Sequence, residues 1–191
     1  MDIDTFINQS ILIGTGYIFV YHGHHKVDVS FNVEPSIILS YHQFKENRDL
    51  LDNDVLYHIV PLLLYYGKSY KIIKELCLLD WKLGKPLITN DEDLHSIIEL
   101  CHGNENSIYI IHPRSNDQLL KSLSNVYTFE DDLIMNRDTH YHIVLLLLSH
   151  GNHYYDFIEK ISLYKKEGYQ IEIEDALLYC DEIREYIVKR I

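Results

Sequence analysis

Val27, Val29, Phe31 and Val33 alternate with Asp28, Ser30 and Asn32. A period of two predicts a strand with one buried face and one wet face. Residues 11–21 form a second apolar stretch of strand character, and His22-Gly23-His24-His25 between the two supplies a glycine for a turn. The N-terminal third therefore predicts a β-hairpin. From about residue 50 the spacing becomes helical. Asp52, Asn53 and Asp54 offer caps for a run over 55–66 that Gly67 closes as a C-terminal glycine, with Pro61 kinking the helix or delaying its start. A second helix is predicted over 70–82, capped by Ser69, with Tyr70, Ile73, Leu76 and Cys77 at helical spacing and Gly84 at its end. Thr89 and Asn90 cap a third over 91–102, followed by Gly103. Residues 107–112 read as a short strand closed by Pro113, and Ser115 caps a short helix containing Leu119, Leu120 and Leu123.

The helical pattern repeats. Residues 57–84 laid over 141–168 without a gap give thirteen identities in twenty-eight positions, where unrelated sequences give about two. Tyr57-His58-Ile59-Val60 meets Tyr141-His142-Ile143-Val144, Leu62 to Leu64 meet Leu146 to Leu148, and Gly67 and Gly84 meet Gly151 and Gly168. The predicted fold class is α+β, mainly α, an N-terminal β-hairpin followed by two duplicated helical-repeat units. Its expected parts are a hairpin region over 1–35, a first helical unit over 36–103, a strand or linker over 104–114, and a second unit over 115–191.

The passages Gly67-Lys-Ser-Tyr-Lys-Ile-Ile-Lys-Glu-Leu76 and Gly151-Asn-His-Tyr-Tyr-Asp-Phe-Ile-Glu-Lys160 resemble the turn and second helix of ankyrin-type repeats, and residues 168–177 resemble the passage from loop into the next first helix. The Thr-Pro-Leu-His opening of that family is missing, and an 84-residue offset is no multiple of its usual period. The resemblance implies stacked helical hairpins presenting a binding surface and no catalysis.

Alanine occurs once, at Ala176, while Ile, Leu, Tyr, Asn and Asp are abundant. That composition resembles proteins of large DNA viruses and of A+T-rich protists. The formal net charge of −12 repels phosphate backbones, and no basic patch offsets it, so nucleic acid is not an expected partner. Asp2 and Asp4 stand where an export signal would carry a basic residue, and Gly14, Thr15 and Gly16 interrupt the first apolar stretch. Neither a signal peptide nor a membrane span is expected. Cys77, Cys101 and Cys180 are odd in number and far apart, which fits reduced thiols in a cytoplasmic protein, the host cytoplasm for a viral one.

Twelve histidines invite a chemical reading. His22, His24 and His25 cluster, as do His140 with His142 and His150 with His153, but Gly151 breaks the last pair and no spacing matches a zinc signature. Solvated turn and cap histidines are the plainer account. His58 and His142 occupy matching places in the two repeats, which suits a structural histidine bonding a neighbouring loop, a ligand, or a pH switch. Asp91-Glu92-Asp93 and Glu130-Asp131-Asp132 stand where helices are predicted to begin and complement a helix dipole there. Gly14-Thr-Gly16 lacks the continuation of a dinucleotide fingerprint. The tyrosines Tyr65, Tyr66, Tyr154 and Tyr155 suit an interface core or plain core filling.

These observations predict a protein-protein interaction or scaffold module, as in a viral factor engaging a host protein, that binds through the four tyrosines, needs no cofactor or metal and is not an enzyme. The alternative is a metal- or histidine-dependent hydrolase or nuclease in which His22, His24, His25, His58 and His142 supply the site. A third expectation is a structural homo-oligomer.

Overall fold

Strands buried on both faces carry continuous apolar runs, because neither side of the sheet meets water. The runs around Val60 and Ile110 are of this kind. A computed structural model describes residues 1–23, 25–113 and 118–191. The chain divides into two units, Met1–Thr89 with Glu185–Ile191, and Asn90–Arg184.

In the first unit, helix α1 (Ile3–Ile13) is capped by Asp2, whose side chain accepts from the Thr5 N–H, and ends at Gly14 in the left-handed conformation. Strands β1 (Thr15–Tyr21), β2 (Ser36–Ser40), β3 (Leu56–Leu62) and β4 (Lys82–Leu83) form a sheet in the order β2-β1-β3-β4, and every pairing is parallel. Helices α2 (Tyr41–Asn47) and α3 (Lys68–Leu76) lie between the strands in sequence. Ile18, Val20, Ile37, Tyr57, Ile59, Phe44, Ile73 and Trp81 build one core with Phe6. Gly16 is the close approach between β1 and α1. A Cβ there would meet Ser10 Oγ at 2.4 Å and Phe6 Cζ at 2.9 Å. Ser10 is fully buried and its hydroxyl lacks a hydrogen-bond partner. Gly16→Ala is therefore expected to cost about 1–3 kcal/mol, and Ser10→Ala, near neutral alone, should recover part of that cost in the double variant. A chemical-denaturation cycle that gives strictly additive effects would contradict this contact.

The second unit has the same plan. Helix α4 (Asp91–Leu100) is capped by Asn90 and carries Asp91, Glu92 and Asp93 in its first turn. Strands β5 (Ile108–Ile111), β6 (Val126–Thr128), β7 (His140–Leu145) and β8 (Gln170–Ile173) form a second all-parallel sheet in the order β6-β5-β7-β8, with helix α5 (Gln118–Lys121) after β5 and α6 (Asn152–Lys166) after β7. Ile108, Ile110, Ile143, Leu145, Phe157, Ile161 and Ile171 form its core. Helix α7 (Asp181–Lys189) follows, and its residues from Glu185 onward belong to the first unit.

The fold is thus α/β with two parallel four-stranded sheets, and it corrects the expectation of a mainly helical chain with a hairpin. Residues 55–66 hold the strand β3 instead of a helix, so Pro61 kinks nothing. Gly67 is the N-cap of α3, where a C-terminal glycine and a Ser69 cap were expected. Residues 27–33 do alternate in burial, with Val27 and Phe31 inside and Asp28, Ser30 and Asn32 exposed, but they are extended chain outside the sheets. Phe31 stacks on Phe19 with centroids 3.8 Å apart. Glu130, Asp131 and Asp132 lie in a turn after β6, not at a helix start, and hydrogen bonds from Thr128 hold the Asp131 carboxyl below its usual range. The Ser115 cap falls outside the described residues, as does His24.

The ungapped overlay of 57–84 on 141–168 fails partway. His58 pairs with Lys82 on β4 and His142 with Glu172 on β8, and the N–H groups of Gly84 and Glu174 donate to Ile59 and Ile143. Equivalent positions are 84 apart in β3 and β7 but 90 apart from β4 and β8 onward. Helix α6 has 15 residues against 9 in α3, which accounts for the shift. Gly168 therefore has no counterpart in Gly84.

Candidate active site at the carboxyl ends of the strands

In an open parallel sheet, ligands settle outside the carboxyl ends of the strands where the strand order reverses. That place lies between β1 and β3 in the first unit and between β5 and β7 in the second.

His112 directly follows β5, and His153 is the second residue of α6, which follows β7. Their ring centroids are 5.3 Å apart at an interplanar angle of 79°. Two imidazoles that share one divalent ion at about 2.0–2.1 Å per nitrogen have centroids about 5–6 Å apart. Phe129, just after β6, stacks on His153 at 4.3 Å and meets the His112 ring edge-on at 5.4 Å. Helix α6 has Gly151 as N-cap, with no side chain bonding its first-turn N–H groups. Among the described residues no group of three or more His, Cys, Asp and Glu side chains is arranged to hold a metal ion. The histidine pair accordingly leaves most of an ion's coordination sphere to other ligands.

In the first unit the same place is occupied differently. His22 directly follows β1, and its Nδ1 lies 3.1 Å from Ser69 Oγ on α3. Pairing of Ile18 with Ile59 and of Ile108 with Ile143 makes His22 the counterpart of His112, and Ser69 that of His153. One imidazole and one hydroxyl therefore replace two imidazoles. His25 is exposed and belongs to no such pair among the interactions seen.

His58 and His142 lie elsewhere. His58 pairs with Tyr17, near the amino end of β1, and stacks on its ring at 4.9 Å. At about 3.3 Å per residue it is on the order of 15 Å along the strand from His22. Burial, and then the nearby Lys82, hold its pKa below the ordinary 6.5. The neutral ring is thus favoured by folding. The unfolded chain takes up the proton first as pH falls, so this contribution to stability is complete above about 6.5 and is lost as pH falls through the lower folded value. His58→Asn should flatten the fall in denaturation midpoint between pH 7 and 5, and parallel wild-type and variant curves would contradict that. His142 bridges Ser107 Oγ, 3.0 Å from Nδ1, and Glu174 Oε1, 2.9 Å from Nε2. Ser107 is fully buried and its oxygen already accepts from the Asn104 N–H at 3.0 Å. A hydroxyl so placed is closed to a substrate.

The four tyrosines differ in exposure. Tyr66 and Tyr155 are exposed, Tyr65 and Tyr154 are half-buried, and the Tyr154 hydroxyl donates to Asp175 Oδ1 at 3.1 Å. Burial and then the Asp175 charge push the Tyr154 phenol up to about 12.

The pair His112–His153 was not singled out by sequence reasoning, which took residues 107–112 for an isolated strand. The available signal is a histidine directly after an apolar strand, at Tyr21-His22 and again at Ile111-His112.

No protein family's sequence profile matches the chain, and no curated protein sequence matches it. Solved structures do. The sirohydrochlorin chelatase SirB from Bacillus subtilis subspecies spizizenii, in complex with cobalt, superposes with a TM-score of 0.56 at 14% identity over 92% of this chain and 93% of that one. SirB from Bacillus subtilis with Fe3+ gives 0.55 at 16% identity with the same coverage. CbiX, the terminal enzyme for biosynthesis of siroheme in denitrifying bacteria, gives 0.51 at 10% identity over 92% and 97%. These structures overturn the ankyrin resemblance and, with it, the scaffold reading; they are bacterial and lend nothing to a viral source. Among the described residues no helix is long and apolar enough to cross a membrane. The chain has the fold of the sirohydrochlorin chelatases.

Proposed function

We propose that the protein inserts a divalent metal ion into a tetrapyrrole, with His112 and His153 receiving the ion as substrate. The observation that carries this reading is the pair itself, two imidazoles 5.3 Å apart at the β5/β7 switch point of a chelatase fold. A chelatase must hold its metal firmly enough to present it and loosely enough to release it. Two neutral imidazoles meet both demands better than a closed set of three or four thiolate or histidine ligands. Phe129 stacked on His153 holds the plane of that ring before the ion arrives. The net charge of −12 raises the local concentration of cations.

Titration calorimetry with Co2+ tests the reading. One ion should bind per chain, and His112→Ala and His153→Ala should each weaken binding by about 10²-fold, while binding of sirohydrochlorin, followed by its fluorescence, persists. Unchanged Co2+ affinity in both variants would remove the basis of the proposal.

A further inference from the structure

Cys101 and Cys180 are far apart in sequence and meet within the second unit. Cys101 directly follows α4, and Cys180 closes the 3-10 turn Leu177–Tyr179 and directly precedes α7. The backbone fixes both positions. The Cys101 N–H donates to the Ile97 carbonyl at 3.0 Å, the Cys180 N–H donates to the Leu177 carbonyl at 3.2 Å, and the Cys180 carbonyl accepts from the Arg184 N–H at 3.2 Å. Cys101 is buried and Cys180 is half-buried. The two thiols are hydrogen-bonded to each other, Cys101 donating and Cys180 accepting.

That bond separates their chemistry. Donating it, then burial, then the charges of Cys180, Glu174 and Glu182, push the Cys101 thiol up. Accepting it holds the Cys180 thiol down, against burial and the charges of Glu174, Asp175 and Glu182. Cys180 therefore ionises first, and a partly exposed thiolate is the sulfur that reacts. Two thiolates side by side among these carboxylates would repel one another, whereas a disulfide leaves no charge in the buried site. Among the described residues no group of three or more His, Cys, Asp and Glu side chains makes a metal site of the pair. Cys77 stands in contrast. Its Sγ donates to the Ile73 carbonyl at 3.2 Å, and burial pushes its thiol up to about 11.

We propose that Cys101 and Cys180 are a reversible dithiol–disulfide site, oxidised by low-molecular-weight disulfides with Cys180 attacking first. The Cys180 thiolate attacks one sulfur of the incoming disulfide, a mixed disulfide forms at Cys180, and one small thiolate leaves. Cys101 then gives up its proton, its sulfur attacks Cys180 Sγ, the mixed bond breaks, and the second small thiolate leaves. Two protein thiols are oxidised, one small disulfide is reduced to two small thiols, and the protons released by the protein go to those thiols. The new bond encloses residues 102–179, nearly the whole of the second unit. Closing a loop of about 80 residues strongly restrains the unfolded chain. The site goes beyond metal insertion and does not depend on it.

The experiment is incubation of the reduced full chain with oxidised glutathione at mildly alkaline pH, followed by thiol titration in denaturant, intact mass, peptide mapping and thermal denaturation. Of the three cysteines, Cys77 alone should remain titratable, the mass should fall by two hydrogens, and one crosslinked peptide should join Cys101 to Cys180. The unfolding midpoint should rise by about 5–15 °C, and dithiothreitol should reverse every change. Cys101→Ser should stop at a glutathione adduct on Cys180, and Cys180→Ser should leave Cys101 unmodified. The decisive readings are made on the wild type, so a variant that fails to fold leaves the test standing. A wild type that keeps all its thiols, a lasting glutathione adduct on Cys180 beside a free Cys101, or a crosslinked chain that melts no higher than the reduced one each overturns the proposal.

Discussion

His153→Ala is expected to lower kcat/KM for cobalt insertion by about 10²–10⁴-fold, equivalent to about 2.7–5.5 kcal/mol of transition-state stabilisation. The variant leaves His112 as the only imidazole of the pair, as His22 is in the first unit opposite Ser69. A single neutral nitrogen ligand competes poorly with water for a divalent ion. The His153 ring also supplies the face against which Phe129 stacks, so its loss frees that ring as well. Steady-state kinetics with Co2+ varied at saturating tetrapyrrole check this. An effect below tenfold would mean that the ion is delivered elsewhere.

Phe157→Ala is expected to destabilise the protein by about 3–5 kcal/mol. Phe157 lies one turn along α6 from His153 and is buried in the core with Ile110, Ile143, Leu145, Ile161 and Ile171. Its ring fixes the helix against the sheet, and the start of that helix carries the metal ligand. Truncation leaves a cavity under the site, so denaturant midpoint and Co2+ affinity should fall together. A stable variant with weakened metal binding would contradict the packing argument. A destabilised variant with intact binding below its transition would show that β7 and Gly151 alone set the position of His153.

How far this fold can be read from the sequence differs by element. Helix α4 is legible from Asn90, the acidic first turn and the apolar Leu94, Ile97 and Ile98, because a helix with one wet face retains its period. Strand β3 is not. Tyr57, Ile59, Val60 and Leu62 are all buried, so no alternation survives, and the preceding aspartates and following Gly67 imitate helix boundaries. Residues 27–33 mislead in the opposite direction. Their alternation is a true record of burial, yet burial of alternate residues does not supply a hydrogen-bonding neighbour, and sequence cannot show one. Once β3 and β7 are read as helices, parallel sheets are lost, and the carboxyl ends where ligands gather are lost with them. The repeat signal survived because His58 and His142 occupy the same place in the two sheets, but the six additional residues of α6 disguised its true register. His150 and His153 were discounted because Gly151 stands between them. That glycine is the N-cap, and it lets one histidine turn to Asp175 while the other turns to His112.

The most direct test of metal insertion by this chain is anaerobic incubation of the wild-type chain with sirohydrochlorin and Co2+, with the rate of metallated product compared against the same mixture without protein. A chelatase gives a rate proportional to protein concentration and well above the spontaneous one, abolished in the His112→Ala, His153→Ala double variant. Product formation at the spontaneous rate, with Co2+ bound and the tetrapyrrole present, would contradict it.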